Sequence, residues 1–119
     1  MHPHAQLASE AAAEAFKQKG GDGFWKMHAL LFQNQSVPEG LERAALEKYA
    51  DQVGLDVARF RTALDNHVHK AAIDADSKTA DDAGITATPA FVINGYYMTG
   101  SQPFAKFKKL IDRAIAEAK

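Results

Sequence analysis

The chain has 119 residues, 46% apolar and 24% charged, which suits one globular domain with a modest core. Its net charge of −1 removes the electrostatic case for nucleic acid or an anionic membrane surface, and its longest apolar run is far short of the roughly 18 residues of a membrane helix. With no cysteine, a disulfide scaffold, a thiolate zinc site and thiol catalysis by this chain are all excluded.

From Ala5 to Lys19, apolar residues at Ala8, Ala11, Ala12, Ala15 and Phe16 follow the three-and-four spacing of a buried helical face. Gly20-Gly21 predicts the end of that helix. Asp22 can cap a second helix with an apolar side of Phe24, Trp25, His28, Leu31 and Phe32. The polar stretch from Gln33 to Gly40 predicts a loop. A third helix is expected over Leu41–Val53, with Leu41, Ala45, Tyr49 and Val53 inward and Gly54 closing it. Asp56 should cap a fourth, facing inward through Val57, Phe60 and Leu64. A fifth runs from Val68 to Ala83, with Val68, Ala72, Ala75 and Thr79 inward and an Asp74–Lys78 pair outward.

After Gly84 the character changes. Ala90–Ile93 and Tyr96–Thr99 are short, rich in β-branched and aromatic residues, and separated by Asn94-Gly95, a two-residue hairpin turn. Alternation along the second strand puts Tyr96 and Tyr97 on opposite faces. Pro103 opens a last helix with a stripe of Phe104, Phe107, Leu110, Ile111, Ala114 and Ile115, which should pack on the hairpin. Lys106, Lys108, Lys109 and Arg113 on that helix read as a solvated basic face. The expected organisation is one α+β domain: a helical subdomain over 1–83, then the hairpin and terminal helix over 84–119. Two strands alone leave two unpaired edges.

Five histidines raise the question of a metal. In the pairs His2/His4 and His67/His69 the residues are two apart, and on a helix such positions diverge by about 200°, so surface or capping roles are expected and no metal site. His28 should be a half-buried packing residue. Asp74, Asp76, Asp81 and Asp82 spread around a helix beside Lys70 and Lys78. No glycine-rich phosphate loop, serine nucleophile motif or catalytic carboxylate pair can be assembled.

The run Gly84-Ile85-Thr86-Ala87-Thr88-Pro89-Ala90-Phe91-Val92-Ile93-Asn94-Gly95 resembles the cis-proline strand and hairpin of the DsbA-like branch of the thioredoxin superfamily. His2-Pro3-His4-Ala5, Gly23-Phe24-Trp25-Lys26-Met27-His28, Gly54 to Phe60 and Gly100-Ser101-Gln102-Pro103-Phe104 extend the similarity, in order, over nearly the whole chain. The resemblance implies a partial thioredoxin-like fold with a cis Thr88–Pro89 bond. Thr88 and Pro89 would be its substrate-binding residues, and a protein or peptide thiol its substrate.

In that family a strand, a Cys-x-x-Cys helix and a second strand precede the His-Pro-His segment. The chain is thus expected to be the C-terminal portion, holding no catalytic residue and no cofactor and redox-inactive as it stands. A non-catalytic binding or assembly module derived from the fold is the alternative, followed by a relative of the glutathione-binding isomerases and kappa-class transferases. The unpaired strand edge predicts a homo-oligomer. Family members often work outside the cytoplasm, while residues 1–19 show neither the basic start nor the apolar core of an export signal.

Overall fold

A computed structural model describes residues 3–118. The order is α1 (Ala5–Asn34), α2 (Arg43–Val53), α3 (Val57–Asp65), α4 (Lys70–Asp82), β1 (Ala90–Ile93), β2 (Tyr96–Thr99) and α5 (Phe104–Glu117). The architecture is α+β, mostly helical with one small antiparallel sheet. Two compact units make it up, Met1–Asp76 and Ser77–Lys119, divided within α4.

In the first unit, α1 is broken at Gly20, whose φ of 64° and ψ of −152° lie outside the helical region and suit glycine. The two expected helices are therefore two segments meeting at a kink, with Asp22 paired to Lys26 at 3.0 Å inside the second. The segments close tightly: a Cβ on Gly23 would lie 2.7 Å from the Ala15 carbonyl oxygen. Small side chains at Ala8, Ala11 and Ala15 line this packing face, and Gly23, Met27 and Leu31 continue it. Met27, Leu46, Phe60 and Leu64 fill the centre where α1, α2 and α3 pack together.

Three inward assignments on α1 are corrected. Phe16 is 58% exposed and Glu10 and Glu14 are buried, while Trp25 and Phe32 are exposed and Met27 replaces them inside. Apolar spacing identifies a stripe, but close approach of helix backbones selects its smallest members. In α4 the expected inner face is also absent: none of its residues is fully buried, Ala72, Ala75 and Thr79 are exposed, and Val68 before it is 55% exposed. Its ion pairs are Lys70–Asp74 at 2.5 Å and Lys78–Asp82 at 2.6 Å, displaced by one turn from the predicted pair.

The caps of α2 and α3 follow the sequence. Gly54 ends α2 with φ 84°, and the Asp56 carboxylate accepts the Arg59 N–H at 3.1 Å. Helix α2 begins two residues later than expected, at Arg43, and its inner face is Leu46, Tyr49, Ala50 and Val53. The Tyr49 hydroxyl donates to the Gly40 carbonyl at 2.6 Å, which ties down the preceding loop, and burial pushes its phenol above the ordinary range.

In the second unit, β1 and β2 pair with Phe91 opposite Met98 and Ile93 opposite Tyr96. Asn94 and Gly95 both have positive φ, 49° and 87°, as the two-residue turn requires. Helix α5 covers one face: the Phe91 and Phe107 rings meet edge-on at 4.8 Å. Leu110 is half-buried and Ala114 buried, but Phe104, Ile111 and Ile115 are exposed, so the predicted stripe is wider than the surface it covers. Pro103 is the residue before the helix rather than its first.

Phe60→Ala should cost about 3–5 kcal/mol in urea unfolding, the range for emptying a packed aromatic site. Glu47 of α2 is engaged by Arg61 of α3 and by Arg43, and its carboxyl is held below the ordinary 4.5, first by the Arg61 hydrogen bond. A depressed carboxyl stabilises above its unfolded pKa, and that contribution is lost as pH falls through the folded value. The urea midpoint should fall between about pH 5 and pH 3, and fall less in Glu47→Gln.

Candidate functional site

The segment leading into β1 leaves α4 through hydrogen bonds from the Gly84 N–H to the Asp81 carbonyl (3.0 Å) and the Ile85 N–H to the Ala80 carbonyl (2.9 Å). Thr86, Ala87, Thr88 and Pro89 are exposed, and the Thr88–Pro89 peptide bond is cis. The Pro89 carbonyl accepts the Gly100 N–H at 2.8 Å, extending the β1–β2 ladder by one pair. That bond and the register divide the backbone groups of β1. Pro89, Phe91 and Ile93 face β2, so the N–H and C=O of Ala90 and Val92 point to the opposite edge. Among the described residues the sheet has two strands, and no third lies on that edge.

The side chains divide the same way. Phe91, Ile93, Tyr96 and Met98 share the face that α5 covers, where the Tyr96 hydroxyl donates to Glu117 at 2.5 Å and the Arg113 guanidinium lies 4.8 Å from its ring centroid. The Glu117 bond pushes the Tyr96 phenol up and, with Arg113, holds the Glu117 carboxyl down. Val92 and Tyr97, opposite one another on the other face, are 56% and 48% exposed. The site is an open edge and an open face of Val92 and Tyr97 beside an exposed Thr-Pro step, and among the described residues no histidine or carboxylate cluster converges there as a metal site.

The histidine pairs resolve differently. His2 lies outside the described residues. His67 and His69 each bind a buried carboxylate of α1: His67 Nδ1 lies 2.9 Å from Glu10 Oε1, and His69 Nε2 lies 2.8 Å from Glu14 Oε1. His67 has φ 49°, and this left-handed turn lets rings two residues apart reach the same helix. Glu14 also accepts from Gln18 Nε2 at 2.8 Å, whereas Glu10 Oε2 is buried with no partner. Among the described residues no three His, Asp or Glu side chains converge as a metal site. Sequence reasoning missed both carboxylates because glutamates on an alanine-rich helix read as its wet face. His28 is half-buried, its ring 4.6 Å from that of Phe32.

His67→Asn, which keeps a residue tolerant of positive φ, should cost about 1–3 kcal/mol by leaving the buried Glu10 carboxylate unpaired. Adding Glu10→Met should restore most of that loss, and a double-mutant cycle in urea measures the coupling.

A family model described as thioredoxin matches residues 2–113. The chain is 34% identical over 119 residues to the Na(+)/H(+) antiporter NhaA 3 of Salinispora tropica, covering all of this chain and 17% of that protein. It is 28% identical over 82 residues to the thiol:disulfide interchange protein DsbA of Bordetella pertussis, covering 66% of this chain and 39% of the relative. It is also 30% identical over 112 residues to the uncharacterized protein YwbO of Bacillus subtilis, covering 92% and 55%. The chain therefore spans about a sixth of the antiporter and well under half of DsbA. No solved structure matches significantly. The chain belongs to the thioredoxin family, as a DsbA-like member with a partial thioredoxin-like fold and no cysteine.

Proposed function

We propose that this chain is the substrate-groove and helical part of a DsbA-like thiol–disulfide oxidoreductase, with the thiol chemistry carried by groups outside these residues. The observation that carries the reading is the open β1 edge, with the unpaired backbone of Ala90 and Val92 directly after the exposed Thr88–Pro89 step. An extended peptide adds to such an edge through main-chain hydrogen bonds, with Thr88 and Pro89 beside it as the substrate-binding residues. Thiolate attack and the mixed disulfide that follows need sulfur atoms that this chain lacks.

Likeness to part of an antiporter does not carry transport to this chain. No helix among its described residues is long and apolar enough to cross a membrane. Similarity to segments of proteins as different as an antiporter and an interchange protein does favour a second reading, a binding or assembly module that keeps the edge without the redox step. Under either reading the open edge and the exposed Val92 and Tyr97 favour a homo-oligomer.

In a dithiol-dependent insulin reduction assay the chain should give no turnover above buffer; turnover would refute the assignment of the chemistry elsewhere. The edge is tested by adding an extended thiol-blocked peptide and following amide shifts of Ala90 and Val92. Val92→Pro removes an outward N–H while sparing the β1–β2 ladder, so it should abolish those shifts and leave the Phe91 and Ile93 amides in place. Light scattering should show an average mass rising across the micromolar range, and a strictly monomeric mass would sink the self-association.

A further inference from the structure

The turn that joins β1 to β2 carries chemistry that peptide binding along the edge does not use. The chain has three asparagines, Asn34, Asn66 and Asn94, and glycine follows only the last. An asparagine side chain is open to attack at Cγ by the backbone nitrogen of the next residue, and the approach is least hindered where that residue has no Cβ. Asn94 and Gly95 are both exposed, and a Cβ built on Gly95 would meet nothing within 4 Å.

Hydrogen bonds separate the three positions. Asn34 Nδ2 donates to the Leu30 carbonyl at 2.7 Å, which holds that carboxamide in place. The nitrogen that follows Asn66 is engaged as well, since the His67 N–H donates to the Leu64 carbonyl at 3.2 Å. At the turn, the ladder pairs Ile93 with Tyr96 and leaves out the residues between them. Neither the Asn94 carboxamide nor the Gly95 N–H has a hydrogen-bond partner among the described residues. Electrophile and nucleophile are thus adjacent, exposed and free.

We propose that Asn94-Gly95 is a self-modification site, and that its conversion to isoaspartate takes the hairpin apart. The Gly95 nitrogen gives its proton to solvent base and bonds to Asn94 Cγ, and the side-chain nitrogen takes a proton and leaves as ammonia, closing a cyclic imide. Water then opens the ring. Cleavage of the new bond to Cγ yields aspartate. Cleavage of the bond to the Asn94 carbonyl carbon yields isoaspartate, in which the main chain runs through Cβ and Cγ. Nothing is oxidised or reduced, and the net exchange is water for ammonia. Isoaspartate adds Cβ to the main-chain path of a turn that sets every pair from Ile93–Tyr96 to Ala90–Thr99. Aspartate keeps the turn, because Asp-Gly suits it as Asn-Gly does. The Tyr96–Glu117 bond and the Phe91–Phe107 contact depend on that register. The inference rests on the turn alone and stands independently of the thiol–disulfide reading.

The full chain is incubated in warm, mildly alkaline buffer and sampled over time. Peptide mapping by mass spectrometry should show a gain of about 1 Da at Asn94, arising at least about tenfold faster than at Asn34 or Asn66. In the isoaspartyl chain, separated by chromatography, the Phe91 and Ile93 amides should lose protection from hydrogen exchange, while those of Leu46 and Phe60 in the first unit keep theirs. Asn94→Gly, which retains positive φ, should keep the hairpin and gain no mass there. Freshly prepared Asn94→Asp should keep the hairpin too, which separates added charge from the altered main chain. Equal rates at the three asparagines would overturn the proposal. So would an isoaspartyl chain whose hairpin amides stay protected, or loss of the hairpin in Asn94→Asp.

Discussion

A two-stranded hairpin has two faces and two edges, and one helix can cover only one face. That constraint governs the second unit. Helix α5 takes the face of Phe91, Ile93, Tyr96 and Met98, and the Tyr96–Glu117–Arg113 cluster holds its last turn against the strand. The pairing of β1 with β2 satisfies one edge of each strand. What remains, Val92 and Tyr97 on one face and the backbone of Ala90 and Val92 on one edge, cannot be satisfied within the unit. Isolated hairpins of this size are marginal in water, so the unit depends on the packing of α5 against its covered face.

Much of this was legible in the residues. Asn94-Gly95 admits few alternatives to a two-residue turn, and it placed both strands to the residue because the ladder register follows from the turn. The Asp56 cap and the Gly54 stop are chemical signals local to their helices, and both stand where expected. The Gly20 break was visible for the same reason. Signals failed where a tertiary contact chose between candidates. Helix α4 has alanines at helical spacing, but an exposed alanine costs so little that its pattern carries no information about burial.

The aromatic side of α1 illustrates a sharper failure. Periodicity placed Phe16 on the buried face of one helix and Phe24, Trp25 and Phe32 on the apolar side of the next. The two segments of α1 instead approach so closely at Gly23 that the packing face admits only glycine and alanine there, and the large rings are turned outward. Composition could not show this, since it depends on a distance between Ala15 and residue 23. The unpaired edges of a two-strand hairpin were legible in the residues, but that Ala90 and Val92 are the ones whose backbone turns outward is a statement about hydrogen bonds that the register makes.

The buried glutamates show how a segment without an apolar anchor is held in place. Val68 is more than half exposed, so the turn before α4 has no large side chain to fix it by packing. Two polar pairs do so instead, His67 with Glu10 and His69 with Glu14, each acid deeply buried. Apolar contact tolerates a slide of one helical turn at modest cost. Two directional pairs do not, because a shift along α1 takes the histidine from both buried carboxylates and leaves Glu14 with Gln18 alone. The positive φ of His67 belongs to the same device, since an ordinary helical continuation would swing the two rings to opposite sides.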